Sequence, residues 1–389
     1  MKKKIIFVTE ALWIGGIETA LINLLNHLDY EQFEVTLLVA RASLELADRV
    51  NPRCRLIVSD RKQAHSFKEP YRFARLYHLA EKTENPSKLH RALMWLTPAI
   101  RWIENRLYIG YVRKNMADEH YDTAVIYSDR TAELTVRGIR ADRYLMYYHH
   151  GAMRREYHDE IGYRRCEKII AVSKGIADQL VAYRPAYKSK ITVINNLIDT
   201  QTVREKSKDA LPVPFSHDDF HVVTCGRISQ EKGVDIALDA CAMLIREGMG
   251  NLHWWIVGGG PLESQIKSRA EQLGVSDHFH LLGMQNNPYP YIARSDLYVQ
   301  PSRFEGHSVT VLEARVLGKA IVATRAAAAE QLTDGVDGLL CEADPAAISR
   351  AVSALVHNKQ LRSLLEENTG RHPFEEDNLK NLQLLQALL

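Results

Sequence analysis

Cysteine is scarce and dispersed: Cys54, Cys166, Cys225, Cys241 and Cys341 are the five in 389 residues, with no CxxC pair. An odd, scattered set argues against a disulfide frame and a zinc cage, and suits reduced thiols in a cytosolic protein. No stretch reaches about 18 apolar residues, so no membrane-spanning helix is expected. Lys2-Lys3-Lys4 followed by Ile5-Ile6-Phe7-Val8 superficially resembles a signal peptide. The apolar run stops at Thr9-Glu10, too short for an h-region, and reads as a first buried strand. Short-period repeats and low-complexity tracts are absent. Net charge is only +2 and no nucleic-acid partner is expected, but the total hides an uneven distribution. Between Arg61 and Ala117 there are 12 Lys/Arg against 4 Asp/Glu, a local excess of about +8.

What the chain does contain is ordinary globular composition, 46% hydrophobic and 25% charged, at a length that favours two domains over one core. Short apolar runs alternate with helical patterns, the mark of parallel sheets built from βαβ units. In the first half the runs are Ile5–Val8, Val35–Val39, Arg55–Val58, Ala124–Tyr127, Tyr144–Tyr148, Ile169–Val172 and Thr192–Ile194. A polar, proline-bearing stretch from Asn196 to Asp219 marks the boundary. The second series is His221–Thr224, Trp254–Val257, His280–Leu282, Leu297–Val299 and Ala320–Ala323. The reading is two Rossmann-like α/β domains: residues 1–198, residues 199–370, and a C-terminal helix at 371–389 that packs back on the first domain. A basic, aromatic helical insertion occupies about 60–120. It has two readings, a solvated charged face or a surface for anionic lipid headgroups.

Three elements of the second half carry chemistry. Gly226-Arg227-Ile228-Ser229-Gln230-Glu231-Lys232-Gly233 joins a strand to a helix and brings a guanidinium and an ammonium onto one loop, where both can converge on a diphosphate. Gly258-Gly259-Gly260-Pro261 ends the next strand and allows close approach, though it is not the GxGxxG of a dinucleotide fold. Pro301-Ser302-Arg303-Phe304-Glu305-Gly306-His307-Ser308-Val309 then leads into a helix bearing Glu313. Unpaired amides at that helix start form an anion seat, and two carboxylates flank it. Each element alone has a structural explanation: a solvated loop, a strand crossing, a helix with acidic residues near its start.

In this order and spacing, the elements resemble the retaining GT-B glycosyltransferases of the GT4 family. The correspondence runs through Gly226-Arg227…Lys232-Gly233, Gly258-Gly259-Gly260-Pro261, Gly283…Asn287-Pro288, Pro301-Ser302, Glu305…Glu313 with seven residues between, Glu330, and Asp334-Gly335…Gly338-Leu339-Leu340. In the first half it runs through Gly15-Gly16-Ile17-Glu18 and Lys168-Ile169-Ile170-Ala171-Val172-Ser173. Only residues 60–120 or so fall outside it.

The resemblance implies two Rossmann-like domains facing across a donor/acceptor cleft. It implies a retaining, metal-independent hexosyl transfer from a nucleotide-diphosphate sugar, a UDP-sugar foremost, to a glycan or lipid-linked acceptor in bacterial envelope polysaccharide synthesis. The enzyme would be cytoplasmic; peripheral contact with an anionic membrane through 61–117 is the second reading of the basic segment and no part of the resemblance. No cofactor is implied beyond the sugar nucleotide, and no DxD-type metal motif is present. By resemblance, Arg227 and Lys232 neutralise the departing diphosphate, Glu305 orients the transferred sugar, and Glu313 takes the ribose hydroxyls. The amides of Gly306, His307, Ser308 and Val309 meet sugar and phosphate, Gly226 and Gly259 line the pocket, and main chain near Met284 meets the base. Gly15 and Gly16 lie across the cleft, and the strand-end histidine near the sugar is His150, with His149 as the alternative. One departure is Ala326-Ala327-Ala328-Ala329, which stands before Glu330 where the family has glycines. His307 and Ser308 also replace commoner residues. Rival readings are a GT-B nucleotide-sugar epimerase and a catalytically silent GT-B-like partner subunit.

Overall fold

Strands sheathed by helices on both faces are apolar along their whole length, because neither face meets water. In β1 (Lys3–Thr9), β4 (Tyr121–Ile126) and β5 (Ala141–Tyr148) the buried residues are accordingly consecutive and do not alternate. The structure, a computed structural model, describes residues 2–59, 102–103, 105–151, 160–213 and 215–389. Most of the basic 60–120 segment, and so most of the lipid-facing surface expected there, lies outside the described residues; 105–115 is helical.

The N-terminal sheet adds β2 (Phe33–Val39), β3 (Arg55–Val58), β6 (Lys168–Ala171) and β7 (Ile191–Val193). Its seven strands run in the order β3-β2-β1-β4-β5-β6-β7, every pair parallel. The C-terminal sheet holds β8 (Phe220–Cys225), β9 (Leu252–Val257), β10 (Phe279–Leu281), β11 (Leu297–Gln300), β12 (Ile321–Thr324) and β13 (Leu339–Cys341). Its order is β10-β9-β8-β11-β12-β13, again wholly parallel. Both are doubly wound, and each reverses strand order once: between β1 and β4, and between β8 and β11. Ligands of such sheets bind beyond the strand carboxyl ends at that reversal.

Each sheet is sandwiched between two apolar layers. Ala327 and Ala328, two of the alanines before Glu330, are buried in the C-terminal core. The helix Phe374–Gln386 returns to the N-terminal domain. Leu385 and Leu389 join the apolar layer beneath β1 and β2. Asn378 exchanges two hydrogen bonds with the main chain of Ile198, at 3.0 and 2.7 Å, and Asn381 accepts from the Asn195 amide at 2.9 Å.

Candidate active site

The loop after β8 begins at Gly226, whose amide bonds Val257. It carries Arg227, exposed at the cleft, passes through a 3-10 turn at Gln230–Lys232, and enters helix Val234–Arg246 through Gly233. Gly233 has φ 65°, and a Cβ on it would stand 2.1 Å from the Pro301 carbonyl oxygen. Only glycine permits both the left-handed conformation and that approach. The approach brings Lys232 beside the loop after β11. There the Lys232 ammonium donates to both oxygens of Glu305, at 2.6 and 2.7 Å.

Glu305 is held from behind as well. Ser302 Oγ donates to its Oε1 at 2.8 Å and Gln300 Nε2 reaches the same oxygen at 3.4 Å. Gln300 is itself fixed by Tyr298 and Thr310, whose hydroxyls donate to its Oε1 at 2.6 and 2.9 Å. The neighbouring Arg303 is engaged elsewhere, forked onto both oxygens of Asp235 at 2.8 and 2.6 Å. Lys232 and Arg227 are thus two cations on one loop at the carboxyl end of this sheet, Lys232 paired with Glu305 and Arg227 exposed.

Ser308 is the N-cap residue of helix Val309–Val316 and its side chain does not cap. Its amide donates to Gln331 Oε1 at 2.9 Å and its carbonyl accepts from Gln331 Nε2 at 2.8 Å. The His307 carbonyl accepts from Asn196 at 3.0 Å. The His307 ring is held well below the usual histidine range, at about 4, by burial first and then by Arg315, with Asp377 opposing. Arg315 lies on helix Val309–Val316 itself, and Asp377 on helix Phe374–Gln386.

Glu313 is only 4% exposed. Burial pushes its carboxyl up to about 7, against the hydrogen bond from Tyr289 and the charge of Arg49, which both lower it. The Tyr289 hydroxyl donates to Glu313 at 3.1 Å, and Arg49 of the N-terminal domain reaches that hydroxyl at 3.4 Å. Met284 is exposed, and its Sδ accepts from the Gly259 amide at 3.2 Å.

The N-terminal domain faces these groups with the ends of β1, β4 and β5. Gly15 is the N-cap of helix Gly16–His27, and Glu18 in its first turn folds back so that a Cβ on Gly15 would meet Glu18 Oε2 at 2.6 Å. Burial raises the Glu18 carboxyl to about 7, helped by Glu10 and Glu45 and opposed by its own backbone hydrogen bond and by Arg227. The charge of Arg227 is thus felt across the cleft. His150 Nε2 lies 3.2 Å from Oδ1 of Asp129, a residue 5% exposed whose Oδ2 has no hydrogen-bond partner among the described residues. His149 stacks on Tyr147 and tilts against Tyr127. Burial, then the neighbouring His150, hold its ring at about 3, so it stays neutral.

The two edges touch. A Cβ on Gly151 would stand 2.5 Å from the Glu305 backbone, and one on Gly306 would stand 2.2 Å from the His149 carbonyl oxygen. Residues from the two halves of the sequence therefore meet here, His149 and Gly151 against Glu305 and Gly306. Sequence reasoning missed Asp129, Tyr289, Arg49 and Gln331. Asp129 alone had a signal, as an acidic residue just past the strand at the order reversal. Among the described residues, no group of three or more His, Cys, Asp or Glu is arranged to hold a metal ion, and no helix is long and apolar enough to cross a membrane.

Two doubly wound domains meeting at the carboxyl ends of their sheets define the GT-B class of glycosyltransferase. Residues 14–202 match the family model described as Glycosyltransferase Family 4, and residues 219–358 match Glycosyl transferases group 1. Between them they take in most of the chain, which belongs to this family. Solved structures share the fold across the full length. HepE of Anabaena, crystallised with UDP and glucose, has a TM-score of 0.71 at 16% identity, covering 99% of both chains. Sucrose-phosphate synthase of Thermosynechococcus elongatus has a TM-score of 0.72 at 15% identity, covering 100% of this chain and 99% of that one. Among curated proteins, the lipopolysaccharide core biosynthesis glycosyltransferase LpsE of Rhizobium meliloti is 28% identical over 207 residues, 53% of this chain and 58% of its own. A Campylobacter jejuni 4-alpha-N-acetylgalactosaminyltransferase, named for a diphospho-undecaprenol-linked sugar, is 28% identical over 184 residues, 47% of this chain and 48% of its own. The chain spans about half the length of the curated relatives it matches.

Proposed function

We propose that the protein is a retaining hexosyltransferase that moves a sugar from a nucleotide-diphosphate sugar, a UDP-sugar foremost, to a glycan or lipid-linked acceptor in bacterial envelope polysaccharide synthesis. The observation that carries this reading is the arrangement of Arg227 and Lys232 on one loop at the sheet reversal. Lys232 grips Glu305, and the charge of Arg227 reaches across the cleft to Glu18. A diphosphate entering between the two cations draws Lys232 from Glu305 and leaves that carboxylate for sugar hydroxyls. Charge then grows on the departing nucleotide where preorganised cations and the first amides of helix Val309–Val316 already stand, the arrangement that lowers such a barrier most. Glu313 receives the ribose hydroxyls, Gly259 and Met284 border the base, and Gly15 and Gly16 approach from the facing domain. His150, oriented by Asp129, serves the transferred sugar. Retention follows the family's front-face course with leaving-group assistance, and no metal is required because the two cations hold the diphosphate.

The relatives' names support an envelope glycan context, and the UDP complex of HepE supports the choice of nucleotide. The test is a panel of UDP-, GDP- and ADP-sugars incubated with the full chain in EDTA, reading nucleoside diphosphate release and nucleotide binding by calorimetry. Release from one donor in EDTA is expected. If no nucleotide is released or bound, the protein is a silent partner subunit.

The same reading includes peripheral membrane contact through 61–117. Trp102, Ile103 and Leu107 are exposed together, with the Arg106 guanidinium 5.1 Å from the Trp102 ring centroid, an apolar and cationic mixture suited to an anionic lipid surface. Co-sedimentation with anionic but not neutral vesicles at low salt is expected, and equal sedimentation with both counts against it.

A further inference from the structure

The helix Lys174–Tyr183 of the N-terminal domain starts at the cleft, and its leading amides need acceptors outside the helix. Ser173 Oγ caps the Ile176 amide at 3.3 Å, and the Ser173 carbonyl takes the first intrahelical bond, from Ala177, at 3.0 Å. The Lys174 and Gly175 amides are served by the opposite domain. Glu330 Oε2 accepts from the Lys174 amide at 2.7 Å and Oε1 from the Gly175 amide at 2.5 Å. A carboxylate spanning both leading amides meets unpaired donors and the positive end of the helix dipole together. It needs a bare backbone to do so, since a Cβ on Gly175 would stand 2.8 Å from Glu330 Oε1. The Lys174 ammonium is turned to Asp178, at 3.0 Å, so the grip of Glu330 is on the main chain.

The residue next to Glu330 ties this contact to the donor side. Gln331 is buried and holds both main-chain groups of Ser308, at the start of helix Val309–Val316. One peptide unit therefore joins the cap of an N-terminal-domain helix to the helix start that lines the cleft in the C-terminal domain. Both Glu330 bonds are at the solvent-exposed surface, where a contact is weak enough to break and re-form within a catalytic cycle.

We propose that Glu330 is a positioning residue that latches the two domains in the closed arrangement, by capping helix Lys174–Tyr183 across the cleft and bearing on Ser308 through Gln331. Its effect on turnover rests on the transferase reading above; its effect on domain separation does not.

Two substitutions address the one contact from opposite sides. Glu330→Ala removes the carboxylate. Gly175→Ala keeps the carboxylate but pushes it off the helix start, and alanine in a helix raises local stability where glycine lowers it. The full-length wild type, both single variants and the double variant are compared by small-angle X-ray scattering, thermal melting, UDP calorimetry and turnover of whichever sugar nucleotide the wild type uses. Each single variant is expected to show a larger radius of gyration and a kcat lower by about tenfold. UDP affinity stays within about twofold, and the Tm of Gly175→Ala is not lowered, which separates the latch from a merely structural role. Glu330→Gln, keeping one acceptor oxygen, falls between wild type and Glu330→Ala. The double variant is no worse than the worse single, because both remove one interaction. An unchanged radius of gyration in both single variants, or losses that multiply in the double, overturns the proposal. A wild type that turns over no donor sinks the functional reading instead, and the scattering comparison still decides on the latch.

Discussion

Lys232→Ala removes one group and disturbs two. The lysine cation leaves the diphosphate seat, and Glu305 loses the partner that bonded both its oxygens. Ser302 and Gln300 remain on Oε1 at 2.8 and 3.4 Å, but the Glu305 side chain is only 10% exposed. An enclosed carboxylate stripped of its cation is costly, although Lys232 is 30% exposed and water entering its place softens the effect. A net loss of about 1–2 kcal/mol results, which lowers Tm by roughly 2–4 °C per kcal/mol for a domain of this size. Activity falls much further. Removing one preorganised group from charge that develops in the transition state costs about a hundredfold to a thousandfold in kcat.

The two consequences separate in the double variant Lys232→Ala/Glu305→Gln. Neutralising position 305 removes the unpaired charge, so Tm recovers towards the wild type while the rate does not. The assays are melting by circular dichroism and release of nucleoside diphosphate from the donor the wild type accepts. Wild-type kcat in Lys232→Ala refutes the leaving-group role outright. A rate that recovers together with Tm refutes it too, since the loss would then have come from a distorted Glu305 loop.

Two further outcomes follow from the geometry. Gly306→Ala places a Cβ 2.2 Å from the His149 carbonyl oxygen and 3.1 Å from Val172. Transfer should be lost while UDP still binds and far-ultraviolet circular dichroism is unchanged, and a wild-type rate would show that the cleft need not close this far. Glu313, raised from 4.5 to about 7 by burial, contributes stability that is fully present below pH 4.5 and is lost as pH rises through about 7. Glu313→Gln should therefore gain on the wild type in stability across that window and level off above it. It should also bind UDP about tenfold to a hundredfold more weakly at pH 8, where ribose hydroxyls meet an ionised carboxylate. Equal UDP affinity in the two proteins at pH 8 would remove Glu313 from the ribose site.

The sheets were legible because strands buried on both faces announce themselves as unbroken apolar runs. Twelve runs were expected, and twelve of the thirteen strands lie on them within a residue or two at most ends. The thirteenth, Leu339–Cys341, is three residues long behind Gly338, too short to stand out from a loop. The candidate site was legible where its residues stand close in sequence, as in Arg227 to Lys232 and Glu305 to Glu313. It was hidden where function depends on how two domains face each other. Arg49 approaches Tyr289 across 240 positions and Glu330 reaches Gly175 across 155; neither pairing leaves a local pattern.

The helix Phe374–Gln386 has a consequence for how the chain is made. Leu385 and Leu389 complete an apolar layer whose other members lie mostly before residue 200, and Thr123 and Arg143 donate to the main chain of Leu388 and Leu389. During synthesis the ribosome delivers the entire C-terminal domain between those two parts. The N-terminal domain, which ordinarily would fold first as a unit, emerges with part of its interior uncovered and holds that exposure until its neighbour has been made. A domain in that condition presents apolar surface to chaperones for the time needed to translate nearly two hundred residues, and it acquires its finished interior only when the domain it must close against is already present.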